Sequence, residues 1–96
     1  MNQITQNTSQ EVSVTSFYYP NGNTKRSFPR RIEFADSGRQ LSFIENGLRC
    51  IVQKGQDLIE IFTMSDGNTS YRLRHETNSH TWILLAMKPY TTGEVI

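Results

Sequence analysis

Two histidines, one cysteine and nine carboxylates are the side chains of this 96-residue sequence best suited to proton transfer, nucleophilic attack or metal binding. His75 and His80 flank the polar stretch Glu76–Ser79 and could meet at one end of a hairpin. Zinc would require further ligands, and Cys50 is the sole thiol, so neither a metal site nor a cofactor is expected. Cys50 lies between Arg49 and Ile51 in an alternating stretch, which reads as a small core residue rather than a nucleophile. A single cysteine also excludes an internal disulfide. Asp36, Asp57 and Asp66 fall in turn-like segments, where turn chemistry accounts for them. Glu33, Glu45 and Glu60 are spread over three separate strand-like segments, and no pair stands out. The sequence contains no GxGxxG, P-loop or GxSxG pattern, and Gly22, Gly38, Gly47, Gly55 and Gly67 each sit in an expected turn. No catalytic residue is assigned, and the chain is not expected to be an enzyme.

Two other features bear on binding. The first is basic and aromatic: Phe17, Tyr18 and Tyr19, then the run Lys25, Arg26, Phe28, Arg30 and Arg31, which Arg72 and Arg74 would join if their strands meet. Aromatic rings stack on unpaired bases and arginines hold phosphates, so small β-barrels bind single-stranded nucleic acid in this way. The same composition suits a solvated sheet edge whose charges deter aggregation. The second feature is an excess of apolar residues. If Phe43, Cys50, Ile61 and Leu73 face the core, then Ile44, Ile51 and Phe62 point outward, and Trp82–Leu85 supplies apolar side chains to both faces. A half-buried sheet should alternate more cleanly. Either a curled barrel covers these residues, or they form a contact surface for a protein partner or a second copy.

The elements that must position these residues are strands. Asp57–Arg74 carries the clearest signal: two alternating arms around Asp66-Gly67, a dipeptide suited to the positive φ of a tight hairpin. Asp57 with Glu60 also resembles a helix capping box, but the segment is short, β-branched and bounded by turn residues, so a strand is expected. Glu11–Tyr19, Ile32–Phe34, Gln40–Ile44, Leu48–Gln53 and Thr81–Met87 add further strands, with turns at Pro20–Asn23, Asp36–Gly38 and Asn46-Gly47. Pro29 marks an edge or the start of a strand. About seven short strands at spacings of about 8–12 residues indicate an all-β fold, and the short links force antiparallel neighbours. The expected architecture is a meander curled into a small barrel or half-barrel, which would limit exposed edges. Residues 1–10 are polar and unpatterned and read as a disordered tail. The single domain spans 11–89, and 90–96 form a second tail.

Composition narrows the function classes. Hydrophobic residues make up 35% of the chain, and the net charge is +1, far from the strong positive charge of a dedicated DNA-wrapping protein. No apolar run of about 18 residues is present, so no membrane span is expected. The N-terminal residues lack the basic and apolar regions of a secretory signal, and with one cysteine this fits a cytoplasmic protein. The combined expectation is a non-catalytic interaction module that binds a protein partner or itself, with single-stranded nucleic-acid binding as the alternative.

Overall fold

The computed structural model describes residues 6–22, 27–44 and 47–89. Seven strands follow one another: β1 (Gln6–Tyr18), β2 (Phe28–Phe34), β3 (Gln40–Ser42), β4 (Leu48–Lys54), β5 (Asp57–Ser65), β6 (Thr69–Glu76) and β7 (Thr81–Pro89). A 3-10 turn at Pro20–Gly22 follows β1. All strand pairs are antiparallel, and they form one sheet in the order β3-β2-β1-β7-β6-β5-β4. The fold is all-β, as the spacing of turn residues indicates. Asp57–Ser65 is a strand, so the helical alternative falls away.

The order is that of an up-and-down barrel with one missing junction. β1 pairs with both β2 and β7, so first and last strands meet in the middle of the sheet, and the open seam lies between β3 and β4. Register shifts at Val14/Ser16, Ser16/Phe17, Asn7/Gln10 and Arg72/Leu73 bend the strands between which they fall. The chain leaving β3 does not run along β4. Phe43 N–H donates to Arg30 O at 2.7 Å and Ile44 N–H donates to Ser65 O at 2.8 Å, which draws this link onto the end of β5. The sheet is therefore curled but not closed.

The concave face holds the core. Val12, Ile32, Phe34, Phe43, Phe62, Met64, Tyr71, Leu73, Trp82 and Leu84 are buried together. Cross-strand pairs explain the selection, since directly opposed residues point to the same face. Phe62 opposes Leu73, Leu73 opposes Leu84, and Met64 opposes Tyr71.

Four expectations need correction. Phe62 does not face outward: it is 2% exposed and packs against Phe28 and Trp82, because the β5–β6 register pairs Ile61 with Arg74 and sends Phe62 inward. Cys50 is exposed rather than in the core, since it opposes Ile61 on the convex face of the edge strand. Phe17 joins the core against Trp82, because the irregularity after Val14 shifts the alternation by one and reverses the faces beyond it. Gln6–Gln10 belong to β1 and not to a tail: Gln6 opposes Met87, Asn7 opposes Ala86 and Gln10 opposes Leu84. Their polarity is compatible with a strand whose backbone finds a partner in β7. The remainder of the expected N-terminal tail, residues 1–5, and the segment 90–96 lie outside the described residues.

Candidate functional site

The β4–β5 hairpin builds the most exposed part of the sheet. A two-residue loop, Gly55-Gln56, joins Lys54 to its partner Asp57, and Gly55 has φ 65°, a value glycine adopts at no steric cost. From there the two strands pair without a shift from Lys54/Asp57 to Leu48/Thr63. β4 has a neighbour on one side only. Of its seven residues only Arg49 is partly covered, and Leu48, Ile51 and Val52 are 73%, 52% and 44% exposed. Leu58, on the adjoining arm of β5, is 45% exposed.

Arg49 is held by a polar row that crosses the concave face. Ile51 opposes Glu60, Glu60 opposes His75, and His75 opposes Trp82, so all four side chains share a face with Arg49 and Phe62, which lie two residues along their strands. Glu60 Oε2 accepts from Arg49 Nε at 2.8 Å and also from its Nη2. Glu60 Oε1 lies 2.7 Å from His75 Nδ1. Burial works against the Glu60 charge, but hydrogen bonds and attraction from His75 and Arg49 outweigh it and hold the carboxyl below its ordinary 4.5. The ionised carboxylate only accepts, so Nδ1 of His75 carries the proton. The imidazole stacks on Trp82 with centroids 4.1 Å apart and planes 9° apart. Phe17 meets the same indole edge-on at 6.1 Å, and Tyr19 stacks on Phe17 at 6.2 Å.

A carboxylate that orients an imidazole is a familiar part of acid–base machinery. Here no hydroxyl or thiol among the described residues is hydrogen-bonded to His75, and Cys50 points to the opposite face. The row acts as a clamp. It ties the one covered side chain of β4 to β5, β6 and the indole of β7. His80 lies in the exposed β6–β7 turn with φ 57°, and the contacts of His75 are with Glu60 and Trp82. Among the described residues no group of three or more His, Cys, Asp or Glu could hold a metal ion.

The basic residues are distributed differently from the expected patch. Arg72 and Arg74 are on β6 and Arg30 and Arg31 on β2, with β7 and β1 between them. At about 4.8 Å per strand that is a separation of about 14 Å along a bent sheet. Arg74 pairs with Glu76 at 2.8 Å, and Arg31 Nε donates to Ser42 Oγ at 3.3 Å. Phe28 packs against the core instead of standing free, and Tyr18 is half-buried in β1. Lys25 and Arg26 lie outside the described residues. Ile44 is 51% exposed, at the start of the link into β4, so of the three expected contact residues Ile44 and Ile51 are accessible and Phe62 is not.

Sequence reasoning passed over Glu60, His75 and Trp82 as a group. A signal was present: a two-residue loop at Gly67 makes paired residue numbers on β5 and β6 sum to an odd number. That alone puts even-numbered Glu60 and Phe62 on the same face as odd-numbered Leu73 and His75.

No protein-family model, curated protein or solved structure matches the chain. Among the described residues no helix is long and apolar enough to cross a membrane.

Proposed function

We propose that this chain is a non-catalytic interaction module that accepts a β-strand from a protein partner, or from another copy of itself, on the outer edge of β4. The supporting observation is the edge itself. Natural sheets blunt their edges with short strands, bulges, prolines or central charges. β3 at the other end of the sheet has three residues and follows this pattern. β4 has seven, no proline, an unshifted register and adjacent exposed Ile51 and Val52 at its middle. Such an edge binds extended peptides through backbone hydrogen bonds, with alternate side chains giving selectivity. The Arg49–Glu60–His75 clamp supports the reading by fixing the strand before a partner arrives, which lowers the ordering cost of binding.

The outward backbone groups can be assigned. The turn bond that closes the Gly55-Gln56 loop makes Lys54/Asp57 a hydrogen-bonded pair, and alternation then turns the N–H and C=O of Arg49, Ile51 and Gln53 away from β5. A capped peptide with the sequence of residues 48–54, serine replacing its cysteine, is the probe. Titrated into the labelled protein, it should shift the amide resonances of Arg49, Ile51 and Gln53 first. Ile51→Pro should abolish the response and leave the fold intact, because that N–H is not used within the sheet. A peptide that perturbs none of these amides at millimolar concentration would overturn the reading.

A further inference from the structure

We propose that the strand received by β4 is the β4 of a second copy, paired antiparallel about a two-fold axis through Ile51. This rests on the edge-binding reading above and names its occupant. The argument is one of self-complementarity. Ile51 is the middle residue of Leu48–Lys54. It is also one of the three residues whose backbone groups point outward, so a two-fold axis there brings all of them into use: Ile51 opposes its own copy, and Arg49 opposes Gln53 of the second copy, twice by symmetry. The intervening residues then fall opposite one another as Cys50 with Val52 and Leu48 with Lys54.

Alternative registers are poorer. A two-fold axis at Arg49 would overlap only residues 48–50 and would set one guanidinium against another. An axis at Gln53 would overlap only 52–54. The axis at Ile51 opposes no pair of like charges, and the one charge near its centre, Arg49, is already neutralised by Glu60 at 2.8 Å. It also gathers the accessible apolar side chains. Ile51 meets its copy on the concave side. On the convex side Val52, 44% exposed, lies opposite Cys50 of the second copy and diagonal to the Val52 and Leu48 of that copy, while Leu48, 73% exposed, lies opposite Lys54. Among the described residues no strand pairs with this edge, and the link after β3 is bonded through Ile44 to Ser65 at the end of β5.

Cysteine placement provides the test. Cys50 is the sole cysteine and is exposed. In the proposed register it faces Val52 of the second copy in a non-hydrogen-bonded pair, with Cα atoms about 4.5 Å apart, within the range that a disulfide spans. Two copies of Cys50 are offset by two residues, about 8 Å, beyond that range. Under mild oxidation, Val52→Cys should therefore yield a covalent dimer, while the parent chain and Leu48→Cys, which keeps Cys50 and adds a thiol at a still more open site on the same face, should not. Sedimentation at about 100 µM, where a micromolar association is close to saturation, should show twice the chain mass for the parent and the chain mass for Ile51→Pro. A parent that stays at the chain mass, with no cross-link in Val52→Cys, overturns self-pairing. If the 48–54 peptide still shifts the β4 amides in that case, the edge reading stands and the strand comes from another protein. If it does not, both fall. Equal cross-linking of Leu48→Cys and Val52→Cys would overturn the register.

Discussion

Asp66 shows how much one side chain can do in this fold. Its Oδ1 accepts from the backbone N–H groups of Asn68 and Thr69, each at 2.8 Å, and its Oδ2 accepts from the Tyr71 hydroxyl at 2.9 Å. Burial opposes its charge, but these three bonds hold the carboxyl below its ordinary 3.8, and burial together with the bond to Asp66 raises the Tyr71 phenol above 10.0. Glu60 is lowered as well. Because both carboxyls ionise more readily in the folded chain, their contribution is complete above their unfolded values. It is lost as pH falls through the folded ones. Chemical denaturation should therefore give a flat carboxyl contribution above about pH 5 and a decline from 4.5 downward, while the raised Tyr71 phenol adds a second decline as pH rises above 10.0. Glu60→Gln should cost about 1–3 kcal/mol at pH 7, since Arg49 and His75 lose an ionised acceptor, and the difference from the parent should shrink toward pH 3. An unchanged difference across that range would show that Glu60 does not act through its charge. The two apolar residues that resemble each other in sequence should differ sharply. Phe62→Ala should destabilise by about 3–5 kcal/mol, whereas Ile51→Lys, compared at a concentration too low for self-pairing, should stay within about 0.5 kcal/mol of the parent.

Among the elements, the β5–β6 hairpin was the most legible and also the source of the main misreading. Its turn was visible as Asp66-Gly67, and Gly67 does have φ 99°. Gly67→Val should destabilise by about 1–3 kcal/mol, measured as a lower denaturant midpoint, because a β-branched side chain resists that conformation. What could not be seen directly was the face. Leu58 and Phe62 form one apolar row, Ile59 and Ile61 another, and composition does not say which enters the core; only the register with Leu73 does. Cys50 was misplaced by the same step, because its face follows from that of Ile61. Phe17 was misplaced for a different reason, since a strand irregularity leaves no mark in an alternating run of Val, Thr, Ser and aromatics. The start of β1 was hidden because Gln6–Gln10 carry no apolar pattern. Their place depends on β7, about 75 residues away in sequence, and only long-range pairing can supply it. Deleting residues 1–10 should accordingly lower the thermal midpoint and speed hydrogen exchange at Ala86 and Met87. An unchanged midpoint would show that this part of the ladder adds nothing.

For the molecule as a whole, the curled sheet and its unsealed seam were within reach of the sequence, through seven turn-separated strands and short links. The position of the seam was not. It depends on where the chain after Ser42 is caught, and Gly47 is part of that capture: a Cβ there would meet Met64 Sδ at 2.3 Å and Thr63 O at 3.0 Å. If β4 is the recognition edge, association should depend little on salt, because its centre is apolar and its one central charge is internally paired. Binding through scattered arginines to nucleic acid would weaken steeply instead. Sedimentation across a salt series separates the two.

The union of β1 with β7 at the middle of the sheet has a consequence in time. β4, β5 and β6 can pair as soon as each emerges, since their contacts are local. β1 and β2 can also meet early, as a separate hairpin. Until Trp82 and Leu84 arrive, the chain consists of two ribbons with no shared core, and the apolar faces around Phe62 and Val12 have only solvent or one another to meet. Folding should therefore end with a late, cooperative step that joins them. Pulse-labelled hydrogen exchange should find the amides shared by β1 and β7 protected last, well after those of β5 and β6. Any condition that delays β7 would prolong the interval in which the unjoined ribbons can find wrong partners.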